Sequence, residues 1–202
     1  MKKMIAGVVG ALVVVGAGLA LWLALDSAVT VASVGKVKVS ESQLKSSINQ
    51  VLAARKTVST TGMTLASGAN LSSEQLNNHV ISILLAHTAA ANNVIVTEAE
   101  VSARVATYLK QAGSAAKLKT EEVSGDIASA DFNSLVRRFL FVEKLTALVE
   151  KQGSTIANSG GAVIALVHTQ AVKEGVTINP KYGTWNAAQV TVDAPTASTT
   201  TK

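Results

Sequence analysis

From Met4 to Leu25 the chain carries no charged side chain. A helix of about 22 residues rises roughly 33 Å, enough to cross the hydrocarbon core of a bilayer. Secretory signal peptides also begin with lysines, as here with Lys2 and Lys3, but their apolar region is usually about 7–15 residues and ends at a small-x-small cleavage site. Here Asp26 follows the apolar run, and only Ala28 and Ala32 offer weak cleavage positions. The run is therefore expected to be a retained anchor over residues 1–26. Lys2 and Lys3 flank one end and Asp26 the other, so the positive-inside rule puts the N-terminus in the cytoplasm and the remainder outside it. Gly7, Gly10, Gly16 and Gly18 form no clean G-x-x-x-G seam.

Setting Lys2 and Lys3 aside leaves 16 of the 18 basic residues against 13 acidic ones, a net of +3. The cations are scattered, with only Arg55-Lys56 and Arg137-Arg138 adjacent and no aromatic stripe between them, so a nucleic-acid partner is not expected. The absence of cysteine removes disulfides, thiol catalysis, thiolate metal sites and a lipidated cysteine together. An exported domain built this way must be held by its core alone, and about 150 residues suffice for that.

The order of elements follows from local patterns. Val31 and Val34 precede Gly35-Lys36, and Val37 and Val39 follow, which predicts a hairpin with a type II′ turn. A lone hairpin is marginal and needs a third strand or a helix beneath it. Ser40 with Gln43, Ser72 with Gln75, and Thr97 with Glu100 have capping-box spacing, so each is expected to open a helix. The first carries Leu44, Ile48, Val51 and Leu52 on one face and ends near Lys56. The second, with Leu76, Val80, Ile81, Leu84 and an alanine run, has an apolar sector too wide for a surface helix and is expected to be central. Asn92-Asn93 close it, and Gly113 closes the third.

The stretch 114–129 reads as a polar connection with weak turns. A fourth helix over Asp131–Lys151 holds all three phenylalanines and should pack at the heart of the core. A fifth, beginning at "SGGA" (Ser159–Ala162), stops at Gly175. "VTINP" (Val176–Pro180) is the best candidate for the strand missing beside the hairpin. Residues 186–202, rich in Thr and Ala, read as a disordered tail. The fold class expected is mainly α: about five helices closed by a small β element from the N-terminal hairpin and a C-terminal strand, plus the N-terminal transmembrane helix. Residues 27–185 form the single exported domain.

Chemistry-bearing patterns are sparse. His79 and His87 lie eight apart and His168 stands elsewhere, without the i, i+4 pairing and nearby carboxylate of a zinc site. No G-x-S-x-G elbow occurs. The "SGGA" glycine pair lacks the Lys-Ser/Thr of a phosphate loop and reads as a plain helix start. Glu98 with Glu100 and Glu121 with Glu122 read as solvated charges. No catalytic residue, metal site or cofactor is expected.

Several segments resemble the N-terminal chaperone domain of SurA-type bacterial periplasmic chaperones. "ASVGKVKVSESQL" (Ala32–Leu44) looks like the family's strand pair and first helix, with Gly35-Lys36 where Asn-Gly usually stands. "ISILLAHTAAANNVIVTEAEV" (Ile81–Val101) is similar to its second helix and the following "E-V" element, with Asn93 in place of glycine. "DFNSLVRRFLFVEKL" (Asp131–Leu145) is similar to a later family helix. "VTINPKYGTW" (Val176–Trp185) resembles the closing strand of a membrane-associated, SurA-like subgroup in high-GC Gram-positive bacteria, with Lys181 in place of arginine. Many members carry a parvulin prolyl-isomerase domain before that strand. Here only about 25 residues separate Lys151 from Val176, a single helix's worth, and the missing domain argues against isomerase activity.

The resemblance implies a membrane-tethered extracytoplasmic chaperone or holdase for unfolded exported polypeptides, without enzyme chemistry. Competing expectations are a structural or adaptor module for one cell-envelope partner and a degenerate peptidyl-prolyl isomerase. Non-directional apolar contact accepts many sequences, and Leu44, Ile48, Leu52, Val80 and Leu84 are the candidate peptide contacts, unless these faces form the core. Val176, Ile178, Pro180, Tyr182, Gly183 and Trp185 are expected to act as a structural clasp joining the two ends of the domain. The pattern does not specify an oligomeric state.

Overall fold

Gly35 takes φ 56° while Lys36 stays outside the positive-φ region, the pattern of a type II′ turn, and it folds β1 (Thr30–Val34) onto β2 (Val37–Ser40). In the computed structural model, which describes residues 29–195, this hairpin is followed by α1 (Glu41–Arg55), α2 (Gly68–Ala91), α3 (Glu98–Ala112) and α4 (Ala115–Ser124). A single 3₁₀ turn (Ser129–Asp131), α5 (Phe132–Lys151), α6 (Ile156–Glu174) and β3 (Val176–Ile178) come next. Two short strands, β4 (Thr184–Asn186) and β5 (Thr191–Asp193), complete the described residues. The chain is mainly helical with a small sheet, as the sequence predicts. The anchor expected over residues 1–26 lies outside the described residues, among which no helix is long and apolar enough to cross a membrane.

The capping rules hold at two of three helix starts. Ser40 and Gln43 form a reciprocal box at the start of α1, and Thr97 and Glu100 do so at α3. Gly113 ends α3 in the left-handed region at φ 81°. At α2 the expectation fails: the helix begins at Gly68, and the Ser72 hydroxyl donates back to the Gly68 carbonyl. The reason is tertiary. Leu71 is buried against Val51 and Ala128, which draws an earlier turn into the fold, and Gln75 is itself buried, donating to the Asp126 carbonyl at 2.7 Å.

Residues 114–129 form more than a connection. Ser114 caps α4 by accepting from the Lys117 N–H, and Val123 is buried. Ala, Lys, Leu and Glu are good helix formers, but one buried valine is too little for a visible apolar period.

The clasp forms. β3 lies antiparallel beside β1, giving a three-stranded sheet in the order β2-β1-β3. Ala32 faces Ile178 and Val34 faces Val176, while Thr177 points out to solvent beside Ser33. Two bonds frame this pairing: the Gly35 N–H donates to the Gly175 carbonyl, and the Asn179 N–H donates to the Val31 carbonyl. The expected tail begins too early, since 186–193 is structured. Trp185 pairs with Val192 and Asn186 with Thr191, and the Val192 N–H donates to Asn77 Oδ1 on α2 at 3.0 Å. Val190 and Val192 are both buried. Val190 lies in the turn at φ 56° and only Thr191–Asp193 is extended, so the strand is too short to show an alternation in the sequence. Residues 196–202 lie outside the described residues.

The main core joins the sheet to α2, α5 and α6 through Val31, Val34, Leu76, Leu84, Leu145 and Val167, with α2 in the middle as expected. The phenylalanines do not all reach it. Phe141 is buried, Phe132 is half-buried and Phe139 is 47% exposed. The apolar positions of α5 exceed one face, so some must look outward.

Candidate functional site

Leu44, Val80 and Leu84 are each 0% exposed, deep in the core, and are corrected from peptide contacts to packing residues. They interlock α1 and α2 with the sheet, which is what a broad apolar face does when a partner element covers it. Ile48 is half-buried between two core clusters. Leu52 alone is exposed, on the outer side of α1 and apart from the others. The clasp residues do come together: Tyr182 is buried, Val176, Ile178 and Trp185 pack on the main core, and the Tyr182 hydroxyl donates to Glu41. That bond, followed by Lys45, holds the Glu41 carboxyl down to about 2.

Two concave surfaces stand out. One, of about 410 Å³, is an open trough over the seam between β1 and β3, lined by Thr30, Ser33, Thr177 and Asn179 together with Val31, Ala32, Ile178 and Pro180. The other, of about 240 Å³, lies between α3, α4 and α5. Its walls are Tyr108, Leu118, Ile127, Phe132, Leu135 and Phe139, with Val136 at its base and Glu121 and Glu122 on the α4 side. Tyr108 and Phe132 meet edge to face, with ring centres 6.2 Å apart. The sequence has seven aromatic residues, three Phe, two Trp and two Tyr. Tyr182 and Trp185 belong to the clasp, Trp22 to the N-terminal run and Phe141 to the core, so all three others line this groove. The sequence pattern places Phe132 and Phe139, with the rest of their helix, at the heart of the core. The usable signal was that Leu135, Phe139 and Val142 recur at i, i+4, i+7 on a face of α5 other than that of Leu140 and Leu145.

One wall of this groove is lightly held. α3 fully buries only Val101 and Ala112. Val101, Val105 and Tyr108 pack it on the core, and three ion pairs join it to α5: Arg137 with Glu98 at 2.6 Å, Lys144 with Glu100 at 2.6 Å, and Arg104 with both oxygens of Glu143 at 2.7 and 2.8 Å. Lys144 and the Thr97 N–H hold the Glu100 carboxyl down to about 2. Exposed pairs of this kind contribute about 0–1 kcal/mol each. Local opening of α3 against α5 is thus easier than opening of the α2 core.

A Ser-His-Asp cluster lies elsewhere, where α1, α2 and the start of α5 meet. Ser47 Oγ donates to Asp131 Oδ2 at 2.6 Å and contacts His79 Nε2 at 3.1 Å. A serine has one proton, and an ionised carboxylate can only accept, so Ser47 must accept from His79 and the ring carries its proton on Nε2. This is the reverse of an activated serine, whose proton is taken by an imidazole that an acid orients. Ser47 is moreover only 3% exposed. Among the described residues no group of three or more His, Cys, Asp or Glu is placed to hold a metal ion.

The cluster predicts a pH dependence. Burial pushes the His79 imidazole below its ordinary value of 6.5; Asp131 opposes this and Arg138 assists it. The folded state therefore binds fewer protons than the unfolded state just below pH 6.5. Stability from this group is complete above that value and is lost as pH falls, by no more than about 1.4 kcal/mol per pH unit. Urea unfolding at pH 7.5 and 5.5 should show a steeper loss in the natural chain than in His79→Gln. Parallel profiles would remove His79 as the titrating group.

No family model, curated protein or solved structure matches this chain.

Proposed function

We propose that this chain is a membrane-tethered, extracytoplasmic holdase of the SurA type, which binds unfolded exported polypeptides through the groove between α3, α4 and α5. The carrying observation is the groove itself: three aromatic side chains line an open apolar surface beside a helix that fully buries only two residues and is joined to α5 by three surface ion pairs. Aromatic side chains supply large contact area for few frozen torsions, so a small groove of this kind binds apolar segments without demanding one sequence. The weakly fixed α3 lets the groove adapt its width. In this reading the tether is the apolar run Met4–Leu25, and the "VTEAEV" and "VTINPKYGTW" motifs support the SurA-type assignment.

The test is suppression of aggregation of a denatured exported protein by the full chain in zwitterionic nanodiscs. Suppression is expected at several-fold molar excess. Phe139→Asp puts a charge on the groove wall at a site already 47% exposed, so the domain should stay folded and lose most of the effect. Equal suppression by the variant, or none by the natural chain, would sink the assignment.

A second reading, an adaptor for one envelope partner, is favoured by α6. From Thr155 to Val172 this helix has no Asp, Glu, Lys or Arg, and Ile156, Ile164 and Val172 are exposed. Saturable capture of one protein from solubilised membranes, abolished by Ile164→Glu but not by Phe139→Asp, would favour it.

A further inference from the structure

The groove has a charged side as well as an apolar one. We infer that it selects polypeptide segments in which an aromatic or branched aliphatic residue is accompanied by a nearby Lys or Arg, an inference that rests on the groove being the polypeptide site. Glu121 and Glu122 share α4 with Leu118, one turn away, and both line the same concavity as Tyr108, Phe132 and Phe139. The two carboxylates are not equivalent. Glu122 is buried, and its Oε2 takes bonds from Lys119 at 3.3 Å and Ser129 at 2.7 Å, so its charge is largely answered. Glu121 is exposed and forms no ion pair among the described residues. Two cations on the flanking helices are engaged elsewhere, Lys119 with Glu122 and Arg104 with Glu143, while Lys110 on α3 and Lys117 on α4 are exposed and form no ion pair with Glu121 among the described residues.

An apolar side chain seated among the three rings therefore leaves its neighbour beside an unanswered carboxylate. Low-dielectric walls strengthen attraction at that spot relative to open water. The exposed Phe139 ring adds a face that attracts cations and not anions. A Lys or Arg next to the seated residue gains from both, and an Asp or Glu is repelled by both. One partly desolvated pair corresponds to a preference of roughly 5-fold over a neutral residue.

The experiment uses three labelled peptides of equal length with one Phe-Leu centre, flanked by Lys, Gln or Glu. Each is titrated by fluorescence anisotropy against the full chain in zwitterionic nanodiscs, at low and at high salt. The expected order is Lys, then Gln, then Glu, with roughly 5-fold steps that shrink at high salt as screening lengths fall. Glu121→Gln is expected to erase the order, so that the three peptides bind this variant with equal affinity. Phe139→Ser is expected to weaken all three. Thermal melts confirm that both exposed-site variants stay folded. Equal binding of the three peptides, or a Lys preference that survives in Glu121→Gln, overturns the charge selection and leaves the groove assignment standing. Binding of none, or binding untouched by Phe139→Ser, overturns both.

Discussion

A chain ending at Gly175 is expected to lose its cooperative unfolding transition altogether. The removed segment carries β3, the Tyr182 anchor and the β4–β5 hairpin, and it contributes Tyr182, Val190 and Val192 to the buried core. Val176, Ile178 and Trp185 pack against that core as well. At about 1.5–3 kcal/mol per buried large apolar side chain, the loss is on the order of 10 kcal/mol, the size of a whole domain's stability. It also uncovers one edge of β1, leaving the hairpin without the third strand it needs. Circular dichroism melts of the full and shortened chains measure this directly. A sharp transition at an unchanged temperature would show that the segment is an ornament on a domain complete without it.

A point variant separates a local defect from global loss. A Cβ at Gly183 would lie 2.5 Å from the Asp193 carbonyl oxygen and 2.7 Å from Val192 Cγ1, so Gly183→Ala pushes β5 away from β4. Overpacking of this kind costs about 1–3 kcal/mol. The transition should therefore survive at a lower temperature. The Tyr182 bond to Glu41 is also sensitive to acid: with the folded carboxyl held at about 2, its contribution is present above the ordinary carboxylate range and fades as pH falls towards 2.

How much of this was legible from the residues follows the range of the interactions involved. The Gly35 turn, the Ser40 and Thr97 boxes and the Gly113 stop were readable because each is decided within four residues. The pairing of β3 with β1 was readable for a different reason: an incomplete hairpin at one end and a lone strand at the other answer each other. Ser72 failed because Leu71 found distant partners in Val51 and Ala128. Leu44, Val80 and Leu84 turned out to be packing residues because an apolar helix face announces burial without naming what buries it. The groove was invisible for the complementary reason. Phe132 and Phe139 sit on a helix that is apolar on more than one side, and only the placement of α3 and α4 decides which side stays open.

The least legible feature predicts the largest single-residue effect: Asp126→Ala is expected to destabilise the domain by about 3–5 kcal/mol. Asp126 looks like an ordinary loop residue in "SGDIAS", yet it is 7% exposed and sits at φ 52°. Its Oδ1 takes Arg55 Nη2 at 2.5 Å and its Oδ2 takes the Ala66 N–H at 2.8 Å, while its carbonyl accepts from Gln75. Arg55 Nη2 also donates to the Ala66 carbonyl at 2.6 Å. One residue thereby fastens the last turn of α1, the loop before α2, α2 itself and the connection into α5. Removing the carboxylate strands the Arg55 cation, whose Nε is already buried without a partner, and leaves the Ala66 N–H unsatisfied. A buried ion pair need not be net stabilising, but breaking one side of it is costly. The contrast is testable. Asp126→Asn keeps the acceptor and tolerates the left-handed backbone, so it should lose less than Asp126→Ala. The pair Arg55→Met with Asp126→Asn should recover part of what Arg55→Met loses alone, because no uncompensated charge remains. Urea unfolding of the four variants measures each step, and a cost below about 1 kcal/mol for Asp126→Ala would mean that water replaces the carboxylate freely. Ile127, the next residue, lines the groove. The same variant is therefore expected to weaken binding of apolar peptides at temperatures where the domain is still folded.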